Sequence, residues 1–332
     1  MIISRSPFRV TLGGGGTDLK SYYSKKGGFI FSFALDKYMY ITVNKPVIDN
    51  YIRLKYSKSE KVEKISNLQH EIARSCLKMM GIKDSIEIVS MADIPSGTGF
   101  GSSSCYTVGL LNALHALKRD FVSLKDIAEE ACKIEIELLK KPIGKQDQYI
   151  TTFGGFTVLE IDKKGNTTVR AAKIKKSTLN EFRKNLLIFY TGKTRKNSQI
   201  LAEQNIKTKK NKSSVINALD YIKDSGYQIL EMFEQGDISR LGKMFHTHWE
   251  YKKELSSGVS NKRFDEIYDI AIKNGADGGK ISGAGGGGFF IFYCNSHHEN
   301  LRKSMIKNGL NELQYGFDFE GTKIMTNFLN NN

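Results

Sequence analysis

An α+β fold of two domains follows from three observations on the 332-residue chain. Apolar patterns of period two and period 3.6 occur in mixed order, with strand-like neighbours close enough to pair antiparallel, which argues against a doubly wound parallel sheet. The apolar patterning breaks at 175–185, in KIKKSTLNEFRK, and the length fits two medium domains, placed at 1–180 and 181–332. Glycine is also unevenly spread. Fourteen of the 31 glycines lie in patches at 13–16, 97–101 and 278–288, which marks three tight loops rather than a linker or a collagen repeat.

The elements follow in order. Residues 2–12, 29–35, 38–44 and 51–56 are β-branched, aromatic or alternating runs and predict four strands. A helix at 67–80 precedes a strand at 85–91. The segment DIPSGTGFGSSS is a loop feeding a helix, because Ser102 to Ser104 suit an N-terminus and Val108, Leu111, Leu114 and Leu117 recur at helical spacing. A second helix covers 123–139, strands fit 155–160 and 185–190, and 197–275 is mostly helical by pattern. KISGAGGGGFFIFYC predicts two strands around a glycine turn, followed by a helix at 297–308.

Composition excludes several classes. Hydrophobic residues make up 40% and aromatic residues 11%, enough for a core and too much for a disordered chain. No apolar run approaches the ~18 residues of a membrane helix, and MIISRSPFRVTLGGGG lacks a signal-peptide core, so no membrane partner and a cytoplasmic location are expected. Cys76, Cys105, Cys132 and Cys294 are dispersed and expected to be reduced. The net charge of +15 raises nucleic acid as an outside reading, that of a basic protein gripping phosphate backbone. The basic residues, however, sit in mixed-charge stretches, densest at Lys207, Lys209, Lys210 and Lys212, and positive potential equally serves phosphorylated small molecules. His246, His248, His297 and His298 complete no metal-ligand spacing and are expected at the surface or in helix packing.

Three common phosphate-binding patterns do not account for the glycine loops. GxxxxGK[ST] fails at Gly192-Lys193-Thr194, where position 187 is Leu; HRD and DFG segments are absent; and the GxGxxG match at Gly283, Gly285 and Gly288 precedes a strand where a helix is required. The middle patch differs. In Pro95-Ser96-Gly97-Thr98-Gly99-Phe100-Gly101-Ser102-Ser103-Ser104 the glycines allow close backbone approach, and the loop empties into a helix N-terminus where N–H groups, a positive dipole end and hydroxyls converge on an anion. A carboxylate is placed similarly by pattern. On the helix at 123–139, Leu124, Ile127, Ala128, Ala131, Ile134 and Leu138 form an apolar stripe with Glu135 within it, making Glu135 a candidate Mg²⁺ ligand or a side chain reaching solvent from the stripe's end.

Residues 95–104 resemble the central motif Pro-x-x-x-Gly-Leu-Gly-Ser-Ser-Ala/Ser of the GHMP kinases, small-molecule kinases that include galactokinase, mevalonate kinase and homoserine kinase. Phe100 replaces the leucine. Ser6-Pro7-Phe8-Arg9-Val10 leading to Gly16-Thr17-Asp18 is similar to the family's N-terminal motif, and Lys280-Ile281-Ser282-Gly283-Ala284-Gly285-Gly286-Gly287 to its C-terminal one. The resemblance implies a ribosomal protein S5 domain 2-like N-terminal domain that binds ATP and Mg²⁺, and a ferredoxin-like C-terminal domain. It implies ATP phosphates held by Pro95 to Ser104, Mg²⁺ held by Ser103 and Glu135, and Asp147 of Gly144-Lys145-Gln146-Asp147-Gln148-Tyr149 as the residue that takes or orients the acceptor's hydroxyl proton, with Arg9 beside it.

The acceptor is narrowed by departures from one branch and likeness to another. Galactokinases carry Gly-Glu-His-x-Asp where this chain has Gly14-Gly15-Gly16-Thr17-Asp18, which puts galactose in doubt and keeps a carboxylate for sugar hydroxyls. Gly15, Gly16, Thr17 and Asp18, with Gly285 and Gly286, are the expected substrate segments. Together with Phe153-Gly154-Gly155-Phe156 and Thr191-Gly192-Lys193-Thr194-Arg195, the pattern resembles kinases that phosphorylate C1 of D-glycero-D-manno-heptose 7-phosphate in GDP-heptose synthesis for bacterial surface polysaccharide. Fucokinase or another sugar kinase is the alternative. A phosphorylated acceptor would give Lys193, Thr194 and Arg195 a phosphate to hold.

Overall fold

The computed structural model describes residues 1–194 and 197–328. Its first sheet begins with β1 (Ile2–Gly13) and the long β2 (Gly28–Asn44), joined by the short helix α1 (Lys20–Lys26). The hairpin β3 (Ile52–Lys55) and β4 (Ser59–Val62) follows, and after α2 (Glu71–Met79) comes β5 (Ile86–Ala92). The helices α3 (Ser102–Lys118), α4 (Leu124–Cys132) and α5 (Gln146–Phe153) precede β6 (Phe156–Ile161) and β7 (Thr167–Ala171). Pairing is antiparallel throughout this sheet except between β3 and β5. β2 is one continuous strand, where two were expected. Asp36, between the two expected runs, stays extended because its N–H donates to the Gly316 carbonyl, a partner remote in sequence.

The second sheet opens after α6 (Lys176–Asn185) with β8 (Leu186–Tyr190). Four helices, α7 (Asn197–Lys209), α8 (Ser213–Gln235), α9 (Leu241–Lys253) and α10 (Lys262–Lys273), lead to β9 (Gly278–Ile281) and β10 (Phe289–Tyr293), and α11 (His298–Lys307) to β11 (Asn311–Glu312). The strand order β11-β8-β10-β9, all antiparallel, is that of a ferredoxin-like βαββαβ sheet. β12 (Lys323–Asn327) then returns to pair with β1, so the first sheet takes its last strand from the end of the chain. The basic stretch read as a break at 175–185 is helix α6, anchored by buried Phe182.

An aromatic cluster joins the two halves. Phe33 and Phe156 of the first sheet stack at 5.3 Å, Phe182 of α6 meets Phe233 of α8 edge-on at 4.9 Å, and Phe31 meets Phe233 at 5.4 Å. All are buried, and such rings supply large apolar area with fixed geometry. The four cysteines are buried and unpaired. No described helix is long and apolar enough to cross a membrane.

Candidate active site

Three loops and two helix starts enclose a cavity of about 950 Å³ between the sheets. Its floor is the 95–104 loop. Gly97, Gly99 and Gly101 all have positive φ, and Gly101, at φ 85°, is the N-cap of α3 without any capping side chain. The positive φ favours glycine at Gly101, and a Cβ there would crowd the Asp147 carboxylate at 3.3 Å. Pro95, Ser96, Gly97, Gly99, Gly101, Ser102, Ser103 and Ser104 border the cavity. Thr98 and Phe100 do not. The Thr98 hydroxyl donates to the Pro95 carbonyl at 2.9 Å, and Phe100 stacks on Phe289 of the second sheet at 4.3 Å. Gly288 closes against the same loop, since a Cβ on it would meet the Thr98 carbonyl oxygen at 1.9 Å.

Arg9 ties this loop to Asp147. Its Nε donates to Asp147 Oδ1 at 2.7 Å and its Nη1 to the Gly99 carbonyl at 2.8 Å, while its backbone N–H bonds the Phe100 carbonyl. Arg9 is nearly fully buried on β1, and Asp147 stands in the first turn of α5, open to the cavity. Asp18 faces Asp147 from the 13–16 loop. Its carboxylate accepts from the backbone N–H groups of Gly16 at 3.1 Å and Gln146 at 3.0 Å, and burial, with Asp147 adding, raises its pKa from 3.8 to about 6. Gly15, Gly16 and Asp18 border the cavity. Thr17 is buried behind them, its hydroxyl donating to the Gly14 and Phe29 carbonyls, and so shapes the loop.

Glu135 sits beneath the serines on a π-helical stretch, Lys133–Leu138, that continues α4. Ile127, Ala128, Ala131 and Ile134 bury with it, whereas Leu124 and Leu138, expected in the same stripe, are exposed. The Glu135 carboxylate is fully covered and accepts from Ser103, from Ser104 at 2.7 Å and from the Gln148 amide at 2.8 Å; Lys141 Nζ stands 3.9 Å away. Gln148 Oε1 is buried without a hydrogen-bond partner among the described residues. A buried carboxylate touching a cavity-facing hydroxyl is a donor set that fits a hard divalent cation. Among the described residues no three His, Cys, Asp or Glu side chains cluster, so Mg²⁺ here would take its other ligands from phosphate oxygens and water.

Not every expected residue reaches the cavity. Gly285 and Gly286 pack against Val259 and Ile200, and Lys193 and Thr194 are exposed outside the lining. Arg195 lies outside the described residues. Conversely, Lys141, Gln146 and Gln148 take part without having been singled out. Gln146 and Gln148 flank Asp147, and helical spacing could have flagged them; Lys141 had no signal beyond its position after Glu135. His248, expected at the surface or in helix packing, is buried and borders the cavity, as do Lys252 and Lys280.

Residues 67–155 match the GHMP kinases N terminal domain and residues 229–310 the GHMP kinases C terminal region. D-glycero-alpha-D-manno-heptose 7-phosphate kinase of Campylobacter jejuni is 31% identical over 97% of this chain and 98% of its own length. The chain belongs to the GHMP kinases. As a GHMP kinase it is a phosphotransferase. L-fucokinase/L-fucose-1-P guanylyltransferase of Bacteroides fragilis is 27% identical over 94% of this chain, which corresponds to 36% of that longer protein. Among solved structures, a putative sugar kinase from Campylobacter jejuni covers 97% of each chain at 29% identity and TM-score 0.78. A D-glycero-D-manno-heptose 1-phosphate kinase from Bacteriodes thetaiotaomicron covers 99% of this chain and 100% of its own at TM-score 0.82 and 22% identity, a likeness of fold.

Proposed function

We propose that this GHMP kinase transfers the γ-phosphoryl group of ATP to the C1 hydroxyl of D-glycero-D-manno-heptose 7-phosphate, giving the 1,7-bisphosphate, with residues 1–180 as its nucleotide domain. The observation that carries the reading is the Arg9-bound carboxylate of Asp147, set between the glycine loop at the start of α3 and the buried Asp18. The loop N–H groups and the helix dipole receive the ATP phosphates. Ser103 and Glu135 would hold Mg²⁺, which would supply charge neutralisation of the phosphate oxygens. Asp147 accepts the proton of the attacking hydroxyl, and Arg9 keeps that carboxylate oriented. Asp18 accepts from neighbouring sugar hydroxyls and sets the acceptor's register. The choice of heptose rests on the Campylobacter jejuni relative and on the Gly14-Gly15-Gly16-Thr17-Asp18 segment.

An ADP-release assay with ATP, Mg²⁺ and a panel of heptose 7-phosphate, fucose, galactose, mannose and mevalonate tests the acceptor. Heptose 7-phosphate is expected to give the highest kcat/KM. Turnover of fucose alone would replace the heptose reading with a fucokinase, and silence with every acceptor would count against the kinase assignment to this panel.

A further inference from the structure

On the cavity wall built by α7, α9, β9 and the residue after β9, positive charge and hydrogen-bond donors gather with no facing carboxylate among the described residues. Lys280 on β9 is buried; its Nζ donates to the Leu12 carbonyl at 2.5 Å, stands 3.4 Å from His248 Nε2 and lies 4.9 Å from the centre of the Phe245 ring. No carboxylate faces Lys280 among the described residues; burial alone pushes its pKa down to about 7. Three further buried polar atoms, His248 Nδ1, Ser282 Oγ and Gln204 Nε2, have no hydrogen-bond partner among the described residues. All four side chains border the cavity. Gln204 sets this wall beside the segment that carries Asp18, because a Cβ on Gly16 would come within 2.7 Å of its Nε2.

A buried ammonium is costly without an opposite charge, and each orphaned donor beside it adds to that cost. One ligand class removes all of these penalties together. A tetrahedral phosphate offers several acceptor oxygens to an ammonium, an imidazole N–H, a hydroxyl and an amide, and such charge-assisted bonds are the strong ones. Lys252, one turn beyond His248 on α9, holds the neighbouring Ile281 and Gly283 carbonyls at 2.6 Å each and so fixes the strand that presents Lys280 and Ser282.

We propose that Lys280, His248, Ser282 and Gln204 form the subsite for a phosphate carried by the acceptor, at its end remote from the hydroxyl that Asp147 activates. The inference rests on the kinase reading and moves the distal phosphate away from Lys193 and Thr194, which lie outside the cavity lining.

The test uses the full chain with Lys280→Met and, as a milder change, Gln204→Leu. Selectivity, the ratio of kcat/KM for D-glycero-D-manno-heptose 7-phosphate to that for the unphosphorylated heptose, should fall at least about tenfold in each variant, with KM for ATP unchanged. An unchanged ratio, or a KM for ATP that rises in step with the acceptor KM, would overturn the subsite. Direct binding separates this from the choice of sugar. Inorganic phosphate should perturb the fluorescence of Trp249, the single tryptophan and the neighbour of His248 in sequence, in the wild type and not in Lys280→Met. If heptose 7-phosphate is not turned over but this difference is seen, the subsite stands and the heptose reading falls; if the wild type gives no phosphate response, the subsite falls.

Discussion

Arg9 engages Asp147 through one carboxylate oxygen, Oδ1, and donates from Nη1 to the Gly99 carbonyl. Replacing Asp147 by Asn keeps the side-chain shape and removes the proton acceptor, so kcat is expected to fall about 10³-fold while the melting temperature stays close to wild type. Asp18 predicts a pH dependence. Its folded pKa is raised, so its contribution to stability is fully present below pH 3.8 and is lost as pH rises through about 6. At neutral pH it is therefore a charged, buried carboxylate kept for its ligand. A profile of kcat/KM for the acceptor should rise through an apparent pKa near 6, and the residual activity of Asp18→Asn should be flat between pH 5 and 7 by order of magnitude. At this scale the motif residues were readable because their chemistry is local: glycines in a row, serines at a helix start, an aspartate between two glutamines. The pairing of Lys280 with His248 has no local mark, because it depends on a buried neighbour remote in the chain and on there being no carboxylate facing Lys280 among the described residues.

Glu135 illustrates the element scale. The apolar spacing of Leu124, Ile127, Ala128, Ala131, Ile134 and Leu138 predicts a buried face that Glu135 shares; the four central residues and Glu135 are buried, whereas Leu124 and Leu138 at the two ends are exposed. The π-helical stretch that carries Glu135 has no mark in the sequence KIEIEL. It appears in the backbone, where the Leu139 N–H donates to the Ile134 carbonyl, five residues back, and such turns often occur where a side chain must be aimed. Deleting exposed Lys133 should convert the stretch to an α-turn and rotate Glu135 by about 100° relative to α4. Circular dichroism should be retained while kcat drops about 100-fold or the Mg²⁺ requirement rises; unchanged kinetics would show that the turn does not aim Glu135. The short elements α1, α5, β4 and β7 were missed for a related reason, since each has too few residues to display a period. The single β2 was read as two strands because its continuity depends on Gly316, far along the chain.

Across the whole molecule, the three glycine patches converge through contacts between the two sheets. Gly14 donates its N–H to the Ile222 carbonyl of α8, Lys280 reaches Leu12 from the second sheet, and Gly288 abuts Thr98. The α+β class and the ferredoxin-like order of the second sheet agree with the resemblance; the return of β12 to the first sheet had no local signal, because a short terminal strand finds its partner only in three dimensions. The resulting cavity joins a glycine loop at a helix N-terminus, a carboxylate pair and a cationic wall, an arrangement consistent with the proposed phosphoryl transfer to a phosphorylated acceptor. The most direct measurement is ³¹P NMR of the product formed from ATP, Mg²⁺ and D-glycero-D-manno-heptose 7-phosphate. The account predicts two sugar phosphate signals of equal intensity, one coupled to the anomeric proton; a product phosphorylated at any other hydroxyl, or an unchanged heptose 7-phosphate spectrum, would contradict it.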